Sequence, residues 1–187
     1  MKRIAIYGPE STGKTRLAEK LAAHFGAPLV AEYARERWDA QGGVLGLEDM
    51  LPIAREQWRR EDAAAAEATC NLLGYKLSGA GFLICDTEAL TTMLWSHLLY
   101  GTCPEEVRRG AEKRCKNYAL YLLLDIDVPF APDPQRCFPD PADREKCRRI
   151  WRGALERRQL PFVNIRGDWA VREAAAITAV GNALRQN

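Results

Sequence analysis

The sequence predicts an α/β fold in which a five-stranded parallel sheet is flanked by helices. Short runs that are apolar throughout recur along the chain, and segments with apolar residues at helical spacing separate them. Strands of this kind are typical of parallel sheets, because such sheets are buried on both faces. The length of 187 residues and the hydrophobic share of 47% are those of one globular domain, so residues 1–187 are predicted to form a single domain.

The first strand and the first helix enclose a glycine-rich turn. The strand is predicted over Arg3–Tyr7, and the helix from near Lys14 to Phe25. The segment Gly8–Thr15 between them reads Gly-x4-Gly-Lys-Thr, and this pattern in this context is typical of a phosphate-binding P-loop. Glycines let backbone N–H groups approach phosphate oxygens, and the positive end of the helix favours the same anion. The fold class is therefore refined to a P-loop NTPase fold.

The motif assigns chemistry to individual side chains. Lys14 is expected to reach the β- and γ-phosphates of ATP, and Thr15 to ligate Mg²⁺. A chance match in a glycine-containing turn is the alternative. The predicted nucleotide-binding residues of this segment are Gly8, Pro9, Glu10, Ser11, Thr12, Gly13, Lys14, Thr15 and Arg16.

The rest of the chain continues the alternation of strands and helices. The predicted strands are Ala27–Ala31, Phe82–Cys85, Tyr118–Leu124 and Phe162–Ile165. The predicted helices are Glu32–Trp38, Leu47 to about Leu73, Glu88–Tyr100, Pro104–Lys116, Ala142–Arg158 and Trp169–Leu184. Five prolines in Asp127–Pro141 predict a loop there.

Ligands of parallel sheets bind beyond the carboxyl ends of the strands. Besides the P-loop, the residues expected at that edge are Glu32, Asp86, Glu88, Asp127 and the turn at Gly167. The sequence thus predicts that they meet in one crevice. Gly167 is predicted to contact adenine, because the backbone of this turn faces the nucleotide side of the sheet.

Asp86 follows a buried strand, as a Walker-B aspartate does. It is predicted to act on metal or substrate, beside the Mg²⁺ that Thr15 holds. The alternative is a helix N-cap, since Thr87 and Glu88 follow and aspartate caps helices well.

The basic segment after the fourth strand predicts a lid over about residues 127–149. A mobile arginine can stabilise the charge that develops in phosphoryl transfer, and a closing lid excludes water. Arg136 and Arg144 are the predicted lid arginines, whereas Arg148 and Arg149 fit a solvated helix face. A lid favours a kinase over a switch GTPase, and the chain contains no Asn-Lys-x-Asp motif for guanine.

Glu32 is the predicted group for the phosphoryl acceptor. It ends the second strand, where a carboxylate can orient or deprotonate a hydroxyl. The aromatic residues Tyr33, Trp38, Trp58 and Trp95 offer stacking surface, although core packing explains each tryptophan as well. Arg35 and Glu36 fit either a role in the site or a pair on a helix face.

Composition limits the kinds of partner, metal and cellular location that the sequence predicts. The net charge is only +2, which gives no case for a nucleic-acid surface. No apolar stretch is long enough for a membrane span, and the N-terminal apolar run leads straight into the P-loop, so neither a membrane segment nor a signal peptide is expected. The six cysteines form no Cys-x-x-Cys pair, which argues against zinc and predicts free thiols in a cytoplasmic protein. The oligomeric state stays open.

Several segments together resemble the ribosylnicotinamide kinase domain, best known as the C-terminal part of a trifunctional bacterial regulator of NAD biosynthesis. They are Gly-Pro-Glu-Ser-Thr-Gly-Lys-Thr at Gly8–Thr15, Ala31–Glu36, Glu56-Gln57 and Cys85–Thr92. The resemblance covers nearly the whole chain. It implies ATP-dependent phosphorylation of the 5′-hydroxyl of nicotinamide riboside, with Glu32, Tyr33 and Asp86 facing the riboside. Arg35 and Glu88 complete the predicted substrate residues.

The chain departs from the family pattern after the fourth strand. The family has a segment like Trp-x-x-Asp-Gly-x-Arg, whereas Asp133 and Arg136 are present here with Pro134 in place of the glycine. No His-x-Gly-His is present, so no adenylyl transfer or repressor role is expected. A kinase for another nucleoside or small metabolite, and a non-catalytic ATP-binding module, are the alternative functions.

Overall fold

A computed structural model describes residues 1–70 and 81–185. Five strands form one parallel sheet in the order β2-β3-β1-β4-β5, which confirms the predicted sheet. The strands are β1 (Lys2–Tyr7), β2 (Leu29–Val30), β3 (Phe82–Asp86), β4 (Leu120–Leu124) and β5 (Phe162–Ile165). Their order places β1, and with it the P-loop, at the centre of the sheet.

Helices connect the strands and cover the sheet. They are α1 (Lys14–Phe25), α2 (Tyr33–Ala40), α3 (Met50–Cys70), α4 (Ala89–Tyr100), α5 (Glu105–Arg114), α6 (Pro141–Arg157) and α7 (Trp169–Arg185). A 3-10 turn at Leu47–Asp49 precedes α3, because the Asp49 carboxylate accepts a hydrogen bond from the Gly46 N–H at 2.9 Å. The predicted end of this helix near Leu73 lies outside the described residues.

Side chains that alternate along each strand divide the core between two faces. On one face, Ile4 and Ile6 of β1 pack with residues of α1 and α7. On the other, Ala5 and Tyr7 pack with residues of α3, α4 and α6, including the fully buried Trp151. The strand residues are therefore apolar on both sides, as a covered parallel sheet requires.

Within the described residues, no helix combines the length and the apolar character needed to cross a membrane. The cysteines whose side chains the structure describes are free thiols, as predicted, namely Cys85, Cys103, Cys115, Cys137 and Cys147.

Candidate active site

The P-loop adopts a backbone that only glycine accommodates at its last turn. Gly13 has φ +83° and precedes α1, and a Cβ atom there would lie 2.5 Å from the Trp169 ring. Within the loop, the Thr12 hydroxyl and the Lys14 ammonium each donate a hydrogen bond to the Pro9 carbonyl at 2.9 Å. The helix N-terminus and the Lys14 charge thus stand together at the mouth of the loop, where an anion binds favourably.

Arg172 stabilises the P-loop by hydrogen bonds to backbone carbonyls. Its buried guanidinium donates to the Thr12 carbonyl at 3.0 Å and to the Asp125 carbonyl at 2.9 Å, and it forms an ion pair with Asp127. Asp127 in turn accepts a hydrogen bond from the Gly167 N–H at 2.7 Å. Asp127 and Gly167 therefore belong to the hydrogen-bond network of Arg172 that stabilises the loop. Neither residue lines the cavity that extends from the P-loop.

A cavity of about 800 Å³ extends from the P-loop. The P-loop residues Glu10, Lys14 and Thr15 line it, together with Glu32 and Arg136. Apolar, aromatic and uncharged polar side chains also line it, including Trp38, Met50, Ile53, Gln57, Thr87, Thr91, Thr92, Trp95 and Tyr100. A volume of this size suits small-molecule ligands. The structure thus joins the predicted donor and acceptor regions in one chamber.

Two carboxylates, those of Glu32 and Asp86, interact with each other, and Glu32 lines the cavity whereas Asp86 does not. Glu32 is the N-cap residue of α2, but its side chain makes no capping bond. Asp86 ends β3 with only 2% of its surface exposed, and its Oδ1 meets no hydrogen-bond partner among the described residues. Burial raises the pKa of Asp86 to about 6 and the Glu32 charge adds to this, against the lowering effect of the Thr15 hydroxyl and Lys14. These groups are therefore electrostatically coupled.

Thr87 is a residue that the sequence reasoning missed. Its φ of +76° lies in the left-handed region, which is rare for a β-branched residue and costs about 1–3 kcal/mol. Its buried hydroxyl has no partner within the described residues, and the residue lines the cavity. No signal in the sequence marks this strain.

Glu88 is not at the cavity, contrary to its predicted place beside the substrate. Its carboxylate is fully buried and accepts hydrogen bonds from the Leu90 and Thr91 N–H groups at 2.7 and 3.0 Å. Burial raises its pKa to about 8, although these bonds oppose the shift. Glu88 therefore caps α4, and the alternative reading of Asp86 as the cap of this helix is wrong.

The predicted site residues at the start of α2 have different surroundings in the structure. The Tyr33 ring lies under the Arg60 guanidinium at 4.6 Å and is not part of the cavity wall. Arg35 lines the cavity and pairs with Asp133 at 3.0 Å. Glu36 pairs with Arg60 instead of Arg35, so the suggested pair of neighbours on the helix does not form.

The proline-rich loop, residues 125–140, lies against the P-loop. The Ala131 N–H donates to the Ser11 hydroxyl at 2.8 Å, and the Phe138 N–H donates to the Glu10 carboxylate at 2.6 Å. Arg136 reaches the cavity, whereas Arg144 donates to the Val128 carbonyl at 3.0 Å and does not line it. Arg144 thus stabilises the loop itself.

The remaining part of the predicted lid belongs to α6, which the buried residues Cys147 and Trp151 anchor in the core. Arg148 and Arg149 of this helix pair with Glu145, as expected for a solvated face. Of the tryptophans, Trp38 and Trp95 line the cavity, and the buried Trp58 fits the core alternative.

The oxygen atoms near the P-loop fit a magnesium ion that substrate phosphates also hold, and they do not fit a metal enclosed by protein ligands alone. Among residues 1–70 and 81–185, no group of three or more His, Cys, Asp or Glu side chains could enclose a metal. The unpartnered Asp86 Oδ1 and the Thr15 hydroxyl instead offer oxygen ligands beside the phosphate loop. Mg²⁺ is commonly held in this way, by one or two protein oxygens together with substrate phosphates.

Comparisons with known proteins agree with this architecture. A family model described as an AAA domain matches residues 3–172. A solved structure of the NadR protein in complex with NR is similar at a TM-score of 0.70 and 23% identity, covering 97% of this chain and 51% of that one. A second NadR structure, in complex with NAD and AMP-PNP, is similar at a TM-score of 0.67 and 22% identity, covering 97% and 49% of the two chains. The chain thus spans about half the length of the NadR chains.

Kinases of similar size share the fold. Thymidylate kinase from Ehrlichia chaffeensis is similar at a TM-score of 0.59 and 14% identity, covering 96% of this chain and 98% of that one. Deoxyadenosine kinase from M. mycoides with bound dATP is similar at a TM-score of 0.57 and 10% identity, covering 97% and 100%. A search of curated protein sequences finds no match. The chain has the P-loop fold of nucleoside and nucleotide kinases, and it belongs to the AAA-domain family.

Proposed function

We propose that the protein is an ATP-dependent kinase that phosphorylates the 5′-hydroxyl of nicotinamide riboside to give nicotinamide mononucleotide. The observation that carries this proposal is that Glu32 and the P-loop border the same cavity, whose lining also includes apolar, aromatic and uncharged polar side chains. A pure ATP-binding module needs neither this additional space nor a carboxylate that borders it. The similarity in fold to NadR in complex with NR supports the choice of nucleoside.

The residues divide the reaction between them. The P-loop amides and Lys14 bind the β- and γ-phosphates of ATP and balance the charge that develops on the transferred group. Glu32 accepts the proton of the 5′-hydroxyl as its oxygen attacks the γ-phosphorus, and ADP leaves. Arg136 supplies a further positive charge from the proline-rich loop. A cationic pyridinium ring also suits the cavity, because carboxylates and aromatic faces both attract cations.

Thr15 and Asp86 would hold Mg²⁺. When bound, the ion neutralises phosphate charge and orients the phosphates. The protein's own part is to keep the Asp86 carboxylate buried, with one oxygen that no hydrogen-bond donor of residues 1–70 and 81–185 contacts.

The deciding experiment incubates the protein with ATP, Mg²⁺ and a panel of nucleosides, and identifies the products by mass spectrometry. We expect nicotinamide mononucleotide from nicotinamide riboside. If another nucleoside is phosphorylated and nicotinamide riboside is not, the substrate is wrong but the kinase assignment stands. Phosphate release without any phosphorylated acceptor would replace the kinase with an ATPase.

A further inference from the structure

Gln57 of α3 is a cavity residue whose amide is only half satisfied. Its side chain lines the cavity, although just 3% of the residue surface is exposed. Its Oε1 accepts a hydrogen bond from the Tyr33 N–H at 2.9 Å. Its Nε2 is buried and meets no acceptor within the described residues.

The bond to Tyr33 determines which way the amide faces. A backbone N–H can only donate, so the atom opposite it must be the amide oxygen. The NH₂ group is therefore available as a donor within the described residues. Only a hydrogen-bond acceptor of a ligand can pair with it. Capping of α2 explains the oxygen of Gln57 but leaves the nitrogen unexplained, and buried donors are normally paired.

The surroundings of Gln57 suggest what the donor meets. Met50 and Ile53 share its face of α3 and line the cavity with it, and Trp95 lines it from α4. Thr91 and Thr92 of α4 line the cavity as well, so the wall combines apolar and aromatic side chains with a few polar groups. Such a wall is typical of a site that orients a flat ring by hydrogen bonds. Because Gln57 bonds to the residue after Glu32, its position also lies on the acceptor side of the chamber.

We propose that Gln57 is a specificity residue whose Nε2 donates a hydrogen bond to a carbonyl-type oxygen on the base of the phosphoryl acceptor. This inference rests on the proposed function and deepens it. For nicotinamide riboside, the oxygen is that of the carboxamide. Bases that present only hydrogen-bond donors at this position would leave Nε2 unpaired and bind more weakly.

The test compares two cationic ribosides, nicotinamide riboside and the riboside of unsubstituted pyridine, which lacks the carboxamide. Dissociation constants are measured by calorimetry without ATP, and kcat/KM is measured with ATP and Mg²⁺. We expect wild type to prefer the carboxamide by about tenfold or more. Because both ligands carry the same charge, a change in local charge cancels in their ratio.

Gln57→Glu keeps an oxygen for the Tyr33 N–H but removes the donor, and Gln57→Met removes both polar atoms at similar volume. Both variants should bring the preference to about onefold while the KM for ATP stays near that of wild type. Gln159→Glu is the matched control, because it makes the same chemical change at an exposed residue outside the cavity wall. It should retain the preference.

A preference that survives in both Gln57 variants, or its absence in wild type, would overturn the inference and leave Gln57 as a cap of α2. Binding of nicotinamide riboside that depends on Gln57 without phosphoryl transfer would overturn the proposed kinase alone. If wild type binds neither riboside, both proposals fail.

Discussion

The Glu10 carboxylate accepts a hydrogen bond from the Phe138 N–H at 2.6 Å, which joins the P-loop to the proline-rich loop. The neighbouring Cys137 N–H donates to the same carboxylate at 2.9 Å. Glu10 belongs to the variable part of the P-loop motif, where its side chain is not required for the phosphate cradle. The hydrogen bonds of Glu10 therefore hold the proline-rich loop, which covers the cavity, to the P-loop that is predicted to bind ATP.

Glu10→Ala should loosen this cover. Hydrogen bonds to a charged acceptor contribute more than neutral ones, so their loss should raise the ratio of ATP hydrolysis to phosphoryl transfer by roughly threefold to tenfold. Phosphate release and product formation are measured in the same reactions. Glu145→Ala, which removes two ion pairs on the solvated face of α6, is the control. An unchanged ratio in Glu10→Ala would show that these bonds do not control water access.

Lys14→Ala should lower turnover by at least about a hundredfold, because the charge that faces the phosphates is lost. The measurement is kcat with saturating nucleoside, alongside thermal unfolding to confirm the fold. Near-full turnover in the folded variant would remove the P-loop from the mechanism.

Glu32→Gln should lower kcat by about a hundredfold or more and change the KM for ATP by less than about threefold. The amide retains the shape of the side chain but cannot take the hydroxyl proton. Steady-state kinetics with each substrate varied separate the two effects. If kcat is unchanged, another group takes the proton of the acceptor hydroxyl, and Asp86 is the next carboxylate to substitute.

Glu61 makes stability depend on pH. It is fully buried and accepts hydrogen bonds from Arg3 at 3.0 Å and from Tyr118 at 2.7 Å, yet burial dominates and raises its pKa to about 7 from 4.5. Between these values the folded protein keeps a proton that the unfolded chain has released. The free energy of unfolding should therefore fall as pH rises through this range, by at most about 1.4 kcal/mol per pH unit from this group.

Glu61→Gln does not titrate, so it isolates this contribution. Urea unfolding of both proteins from pH 5 to pH 8 should show the advantage of wild type shrinking toward higher pH. Groups shared by the two proteins largely cancel in the difference. A difference that is constant with pH would mean that Arg3 keeps Glu61 charged throughout.

The fold and the donor half of the site could be predicted because their signals are local. A run of apolar residues predicts a buried strand wherever it occurs, and Gly8–Thr15 predicts a phosphate loop from adjacent residues alone. The strand pattern also gave the position of Asp86. These predictions depend on neighbours in the chain and need no tertiary information.

The acceptor half depended on contacts between distant residues. Glu88 and Asp86 are two residues apart and chemically alike, and only packing decided that Glu88 turns into the core to cap α4 while Asp86 stays at the loop. Arg35 pairs with Asp133 across 98 positions rather than with its neighbour Glu36. Burial and partner choice of this kind are properties of the folded whole.

The sequence by itself determined a parallel α/β sheet with a phosphate loop after its first strand, since periodicity and motif spacing depend only on neighbouring positions in the chain. Tertiary structure alone decided that Gln57 lies in the cavity wall with a donor that has no partner among the described residues, and that Thr87 of the same wall has a strained backbone. The physical reason is that a side chain's hydrogen-bond balance depends on which groups the fold brings within 3 Å or so of it, and those groups come from other elements.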